Sequence, residues 1–289
     1  MSTNRHNLND PEKWTMVIEP GGSLFKLGIK EIWRYRDLVM LFVKRDFVSF
    51  YKQTILGPLW YIIQPVLTII VFSIVFGKIA GISTDNMPPA LFYMSGLVLW
   101  NYFADCLNKT SGTFINNAHI FGKVYFPRLA VPISVIISNL ISFCIQTLLL
   151  LAMMAYYASD GYPMHFGIEI LWLPLILCTM AMLGLGVGII IASLTTKYRD
   201  LRFTISFGVQ LLMYATPVIY PVSSVPAKFK FLLMMNPVSP LIEGFRASLL
   251  GSGAISISHL AYSFMTTLII LMTGLVLFNR IEKNFTDTI

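Results

Sequence analysis

Residues 171–194 read LWLPLILCTMAMLGLGVGIIIASL, a run without a single Asp, Glu, Lys or Arg. A helix of that length rises about 36 Å at 1.5 Å per residue, more than the roughly 30 Å hydrocarbon core of a bilayer. It is one of six such windows between neighbouring charges: 53–77, 86–104, 129–159, 170–196, 203–227 and 247–279. The whole 289-residue chain is 56% hydrophobic and 12% charged, with a mean hydropathy of +0.70. A soluble domain carries about 25% charged residues. The composition excludes a secreted disulfide scaffold, a disordered chain and a soluble enzyme with a polar cleft. It predicts an all-α, polytopic inner-membrane protein.

The net charge of +7 raises nucleic acid as a partner, and the placement of the 21 basic residues argues against it. Seventeen fall in the lead before the first window, after the second, after the fourth and in the tail. The alternate segments hold only Lys78, Lys228, Lys230 and Arg246. The positive-inside rule then predicts six spans with both termini cytoplasmic and no nucleic-acid role. No signal peptide precedes the first span, which is read as an uncleaved anchor. Cys106, Cys144 and Cys178 read as small buried hydrophobes, and the four histidines are scattered, so no metal site is legible.

Along the chain, residues 1–29 form a polar lead, and 30–56 an interfacial helix and the turn that follows. The remainder, 57–289, is the membrane domain, with spans near 57–77, 91–107, 131–157, 171–194, 203–220 and 260–278. Over residues 30–52, Ile32, Tyr35, Val39, Phe42, Val43, Phe47 and Phe50 recur at helical spacing beside Lys30, Arg34, Arg36, Lys44 and Arg45. That pattern suits a helix lying along the cytoplasmic membrane surface, or one packed on its own bundle. Gly57-Pro58 opens the first span, and Gln64-Pro65 predicts a kink or freed carbonyls within it. Asp105 reads as an intramembrane acid or, with Lys109 one turn on, as a charged helix end. The latter is favoured. Gly184, Gly188 and Ala192 place small residues on one helix face for close packing. Segment 221–257 is apolar but broken by Pro221, Pro226, Pro237 and Pro240, which predicts short external re-entrant helices.

Catalytic motifs are missing. No HExxH or GxSxG occurs, and Gly122-Lys123 lacks the glycine spacing of a phosphate loop. If the chain moves a solute, a partner supplies the energy. Against this background, Arg45-Asp46, then Tyr51-Lys52-Gln53-Thr54-Ile55-Leu56-Gly57-Pro58-Leu59-Trp60 and Gln64-Pro65 resemble the opening of the type-2 ABC exporter permeases of polysaccharide and polyol phosphate export. Lys197-Tyr198-Arg199-Asp200-Leu201, Thr216-Pro217-Val218-Ile219-Tyr220, Val225-Pro226, Asn236-Pro237 and Glu243-Gly244-Phe245-Arg246 extend the resemblance in order across residues 30–285. The first motif is most similar to the O-antigen exporters.

The resemblance implies a homodimer docked to two copies of a P-loop ATPase. ATP and Mg would bind that partner, with no cofactor and no catalytic or metal residue in this chain. The substrate implied is a carrier-lipid-linked, O-antigen-like polysaccharide. It implies ATPase contacts at Arg45, Asp46, Tyr51, Lys52 and Gln53, and at Tyr198, Arg199, Asp200 and Arg202. Positive-inside anchoring alone explains the basic residues there but not Asp46 or Asp200. Weak, repeated sugar binding suits aromatic and amide groups. That nominates Trp60, Tyr61, Gln64, Tyr214 and Tyr220 as channel residues, with Trp100, Asn101 and Tyr102 behind them; core packing is at least as good a reading for each. Glu243 and Arg246 form either a helix-surface ion pair or, with Asn236, a brace for an external gate. Capsule, teichoic-acid-like polymer or an amphipathic drug are alternative cargoes on the same fold. A polytopic transferase is the rival from another class, and it requires an essential group such as Asp105, His119 or His259.

Overall fold

The computed structural model describes residues 29–52, 54–121, 123–124, 126–163, 167–195, 200–251 and 255–284, and among them all regular structure is helical. The chain opens with α1 (Ile29–Arg34) and α2 (Arg36–Tyr51), separated by a break at Tyr35. Val39, Phe42 and Val43, from the stripe read in the sequence, are buried. Val39 and Phe42 pack with Phe114, Phe121, Phe126 and Leu129, and burial of each such side chain is worth about 1.5–3 kcal/mol. Trp33, Met40, Leu41 and Val48 remain exposed. The helix therefore rests on its own bundle and still presents an apolar flank outward.

A 3-10 turn at Gly57–Leu59 leads into α3 (Trp60–Phe72), continued by a π-helical stretch, Ser73–Ile79. Gly57 is buried with φ +48°, a conformation that costs a side-chain-bearing residue about 1–2 kcal/mol. Pro65 lies inside α3 without ending it. Next come α4 (Pro89–Ser111), the short α5 (Thr113–Asn116) and α6 (Ala118–Phe121), and α7 (Ala130–Ser159). A 3-10 turn at Ile168–Trp172 feeds α8 (Leu173–Thr195). Then follow α9 (Leu201–Tyr214), α10 (Ala227–Met235), α11 (Val238–Leu250) and α12 (Ile257–Asn284).

Among the described residues, four stretches are long and apolar enough to cross a membrane: Gly57–Ile79, Ala130–Ser159, Ile168–Thr195 and Ile257–Ile281. Helix α4 spans 23 residues but is not among them. It is the centre of the bundle, packed on α3, α7, α8, α9 and α11, with residues 91–100 all buried. Close packing on α8 follows from small residues. A Cβ on Gly184 would lie 2.9 Å from Cys106 Cβ, and one on Gly188 2.6 Å from Thr110 Cβ. On another face of α8, Gly186 meets Gly274 of α12, where an added Cβ would come within 2.8 Å of the Gly186 carbonyl. Asp105 and Lys109, one turn apart inside the last third of α4, are about half exposed and 4.0 Å apart.

The fifth apolar window departs from the sequence expectation. Its helix stops at Tyr214 rather than running to residue 220. Pro217 disfavours helix at the preceding residue, and Thr216, Pro217, Val218 and Ile219 instead form a buried turn. Segment 221–257 does hold two short helices, α10 and α11, broken at Asn236-Pro237. Only α11 is deeply buried, and it ends at Gly251 with φ +66°.

Candidate functional site

The side chains that converge most tightly lie where α11 crosses α4 and the turn after α9. Arg246, 2% exposed, donates from Nη1 to Glu243 Oε1 at 2.8 Å and from Nε to Ser95 Oγ at 3.3 Å. Its Nη2 donates to the carbonyls of Pro217 and Val218 at 3.2 and 3.4 Å. The guanidinium carbon stands 3.9 Å from the centre of the Phe92 ring, close enough for a cation–π contact. A planar five-donor group suits this task, because it can bridge three segments from one position. The pair Glu243–Arg246 is therefore no helix-surface ion pair: Arg246 is turned inward against Ser95 and Phe92 of α4.

Asn236 reinforces the same turn. Its Nδ2 donates to Thr216 Oγ1 at 3.0 Å while its Oδ1 accepts the amide of Val238, the first residue of α11, at 3.1 Å. On the neighbouring loop, Ser223 donates to Asp85 Oδ1 at 2.6 Å. Asn236 and Arg246 thus hold the same 216–218 turn, and Glu243 pairs with Arg246. Sequence reading missed its other half, Phe92, Ser95 and Gly96. A Cβ on Gly96 would come 3.0 Å from both Arg246 Nη2 and the Val218 carbonyl, so this glycine makes room for the guanidinium. The available signal was Ser95-Gly96, two small residues within a bulky apolar run.

The aromatic set divides. Trp60 and Tyr214 are 40% and 49% exposed, and Gln64 is exposed. Tyr61 is half-buried, as is Tyr220, which donates to the Tyr214 carbonyl at 3.1 Å. Trp60, Tyr61 and Gln64 start α3, whereas Tyr214 ends α9, and both helices pack on α4. Trp100 and Tyr102, by contrast, are 4% and 2% exposed. They sit against Phe103 and Phe143 in the subunit's own core. Asn101 donates to Gln146 across to α7 at 3.2 Å. These three α4 residues tie helices together, because the side of α4 that carries them faces α7 and the core rather than an open face.

At the opposite end of the bundle, Arg45 and Asp46 pair with each other at 2.9 Å. Arg45 also donates to Asn117 Oδ1 at 3.4 Å and lies over Phe42. Lys52 and Asp200 are exposed. Gln53, Tyr198 and Arg199 lie outside the described residues, as do the side chains of Tyr51 and Arg202.

Residues 37–250 match the family described as ABC-2 type transporter. The chain is 28% identical over 252 residues to the O-antigen export system permease protein RfbA of Klebsiella pneumoniae, covering 87% of this chain and 94% of that one. The Myxococcus xanthus protein of the same name is 26% identical, over 76% of this chain and 82% of its own. The polysialic acid transport protein KpsM of Escherichia coli is 23% identical, over 79% and 87%. Helical architecture, four described stretches long and apolar enough to cross a membrane and a match spanning most of the sequence lead to one assignment: the chain belongs to the ABC-2 type transporter family.

Proposed function

We propose that this chain is the permease subunit of an ATP-binding cassette exporter that moves an O-antigen-like, lipid-linked polysaccharide across the inner membrane. The observation that carries the reading is the family match over residues 37–250, together with similarity to an O-antigen permease over 94% of its length. Relatives named for polysialic acid and capsule export favour capsule as the second cargo. The reaction chemistry belongs to a partner: a P-loop ATPase binds ATP and Mg, and this subunit converts its closure into movement of helices.

The membrane arrangement we infer has six spans, with α4 and α9 joining the four long apolar stretches and both termini in the cytoplasm. Support for α4 comes from its 23 residues and its place inside the bundle, where protein rather than lipid surrounds Asn101 and Tyr102. Two copies assemble around the path. Only 11% of the most apolar part of Gly57–Ile79 is buried within one subunit, which leaves that face for lipid or a second copy. Trp60, Gln64 and Tyr214 on α3 and α9 offer stacking faces and an amide for transient sugar contacts. The Arg246 brace keeps α10, α11 and the 215–221 turn together as the outer gate. Arg45 to Gln53 and Tyr198 to Arg202 dock the ATPase.

Affinity purification of the tagged chain from its native membrane tests this reading. A P-loop ATPase recovered at one copy per permease, and lost on charge reversal of Asp200, is the expected result. Recovery of the chain alone, with activity on a lipid substrate, would overturn it in favour of a membrane transferase.

A further inference from the structure

The first apolar stretch changes its winding at the end nearest α10 and α11. Ser73–Ile79 is the one π-helical segment among the described residues, and it continues the regular turns of α3 without a break. The Ser73 amide is shared between the Ile69 and Ile70 carbonyls. Beyond it the ladder widens: Ala80 donates to the Val75 carbonyl, five residues back, at 2.8 Å, and Ile82 to that of Phe76, six back, at 2.9 Å. A turn closed in this way takes in one residue more than an α turn, and such turns concentrate at functional sites. Passing that residue on to the loop needs only an exchange of neighbouring acceptors.

The segment rests on the start of α4. Phe72 meets Tyr93 edge-on at 5.9 Å, and a Cβ on Gly77 would stand 3.7 Å from Tyr93 Oη and 3.9 Å from Pro89 Cβ. Tyr93 Oη and Ser73 Oγ are both buried and make no hydrogen bond. Buried hydroxyls are ordinarily paired, so this register leaves unmade two bonds that a neighbouring register can supply. On the other side of the turn Ile74, Val75 and Ile79 are exposed, and nothing in the subunit holds them.

We propose that Ser73–Ile79 is a two-register hinge through which the first span moves the outer gate. A shift by one residue rotates the segment by about 100° and carries each Cα to its neighbour's place, about 3.8 Å away. A residue with a side chain, Phe76 or Lys78, then stands where Gly77 met Tyr93. Two routes lead from there to the gate. Phe92, edge-on to Tyr93 at 5.5 Å, lies under the Arg246 guanidinium. The loop that leaves the segment carries Asp85, which accepts from Ser223, just before α10, at 2.6 Å. The link to export rests on the function proposed above; the two registers do not.

Hydrogen–deuterium exchange of the full chain in lipid nanodiscs reads the hinge. Amides 73–82 are expected to exchange at least tenfold faster than amides 66–72 of the same helix. Deleting Ile74 removes the extra residue without turning the side chains on either flank. It should slow amides 73–82 to the rate of 66–72 and cut surface polysaccharide at least tenfold with ATPase association intact, while Ile74→Ala stays within twofold of wild type in both. Simple fraying of a helix end would leave the deletion variant exchanging as fast as the wild type and overturns the hinge, as does export by that variant within twofold of wild type. Should the deletion not fold, Tyr93→Phe decides. Removing a hydroxyl that only the other register pairs slows amides 73–82 severalfold relative to 66–72, and an unchanged ratio overturns the hinge. Loss of ATPase association in the unaltered chain would instead count against the export reading and leave the exchange comparison standing.

Discussion

Replacing Arg246 with Met keeps much of the side-chain volume and removes the charge. In the wild type its guanidinium meets Glu243, Ser95 and two backbone carbonyls, all from a position 2% exposed. Removing one partner of such a buried pair costs about 3–5 kcal/mol, because the other charge and its acceptors are left without donors. Glu243 is 27% exposed, so water recovers part of that cost and the lower end applies. For a chain of this size, about 3 kcal/mol corresponds to a fall in Tm of roughly 6–12 °C. The assay is thermal unfolding of the purified permease in detergent, alongside surface polysaccharide in cells carrying the variant. Glu243→Gln in the same chain should recover part of the loss, since it removes the stranded carboxylate. An unchanged Tm for Arg246→Met, or a double variant no better than the single one, would refute the brace.

Other predictions separate packing from transport. Gly96→Ala should lower stability by about 1–3 kcal/mol through overpacking against Arg246 and Val218, as measured by thermal unfolding. Gly188→Val should be worse, because even its Cβ would lie 2.6 Å from Thr110 Cβ, and a failure to recover folded protein is the readout. Trp60→Ala and Tyr214→Ala should leave Tm within about 2 °C and reduce polysaccharide at the cell surface, since both side chains are substantially exposed. Trp100→Ala should do the reverse at first order, costing about 3–5 kcal/mol of stability from the core.

Much of the architecture is legible in the sequence, because charge spacing and helical periodicity are local properties. Neutral windows locate the long helices, and the stripe Val39, Phe42, Val43 gives the buried side of α2. Gly184 and Gly188 mark the α4–α8 contact for the same reason. Orientation around a fully buried helix is another matter. Trp100 and Tyr102 have the same residue types and spacing whether they face a path or a core, so composition cannot separate the two. Glu243 and Arg246 look like a surface pair because their spacing is local, whereas the partners that bury Arg246 include Ser95, 151 positions away, and Phe92 beyond it. The early end of α9 depends on Pro217 and on the fold of the turn beyond it, which only the assembled bundle supplies.

The long sequence span of the Arg246 contacts bears on biogenesis. Ser95 is synthesised 151 residues before Arg246, and the two carbonyls it binds come 28 and 29 residues before it. In the membrane arrangement proposed above, α4 is made and inserted before α11, so the acceptors of Arg246 are unfilled at that stage. When α11 arrives, it delivers the cation to that waiting surface, and α12 then packs on α8 and α11. Chains that stall or are cut before residue 246 would carry an exposed, incompletely bonded α4, the kind of lesion that membrane quality control detects.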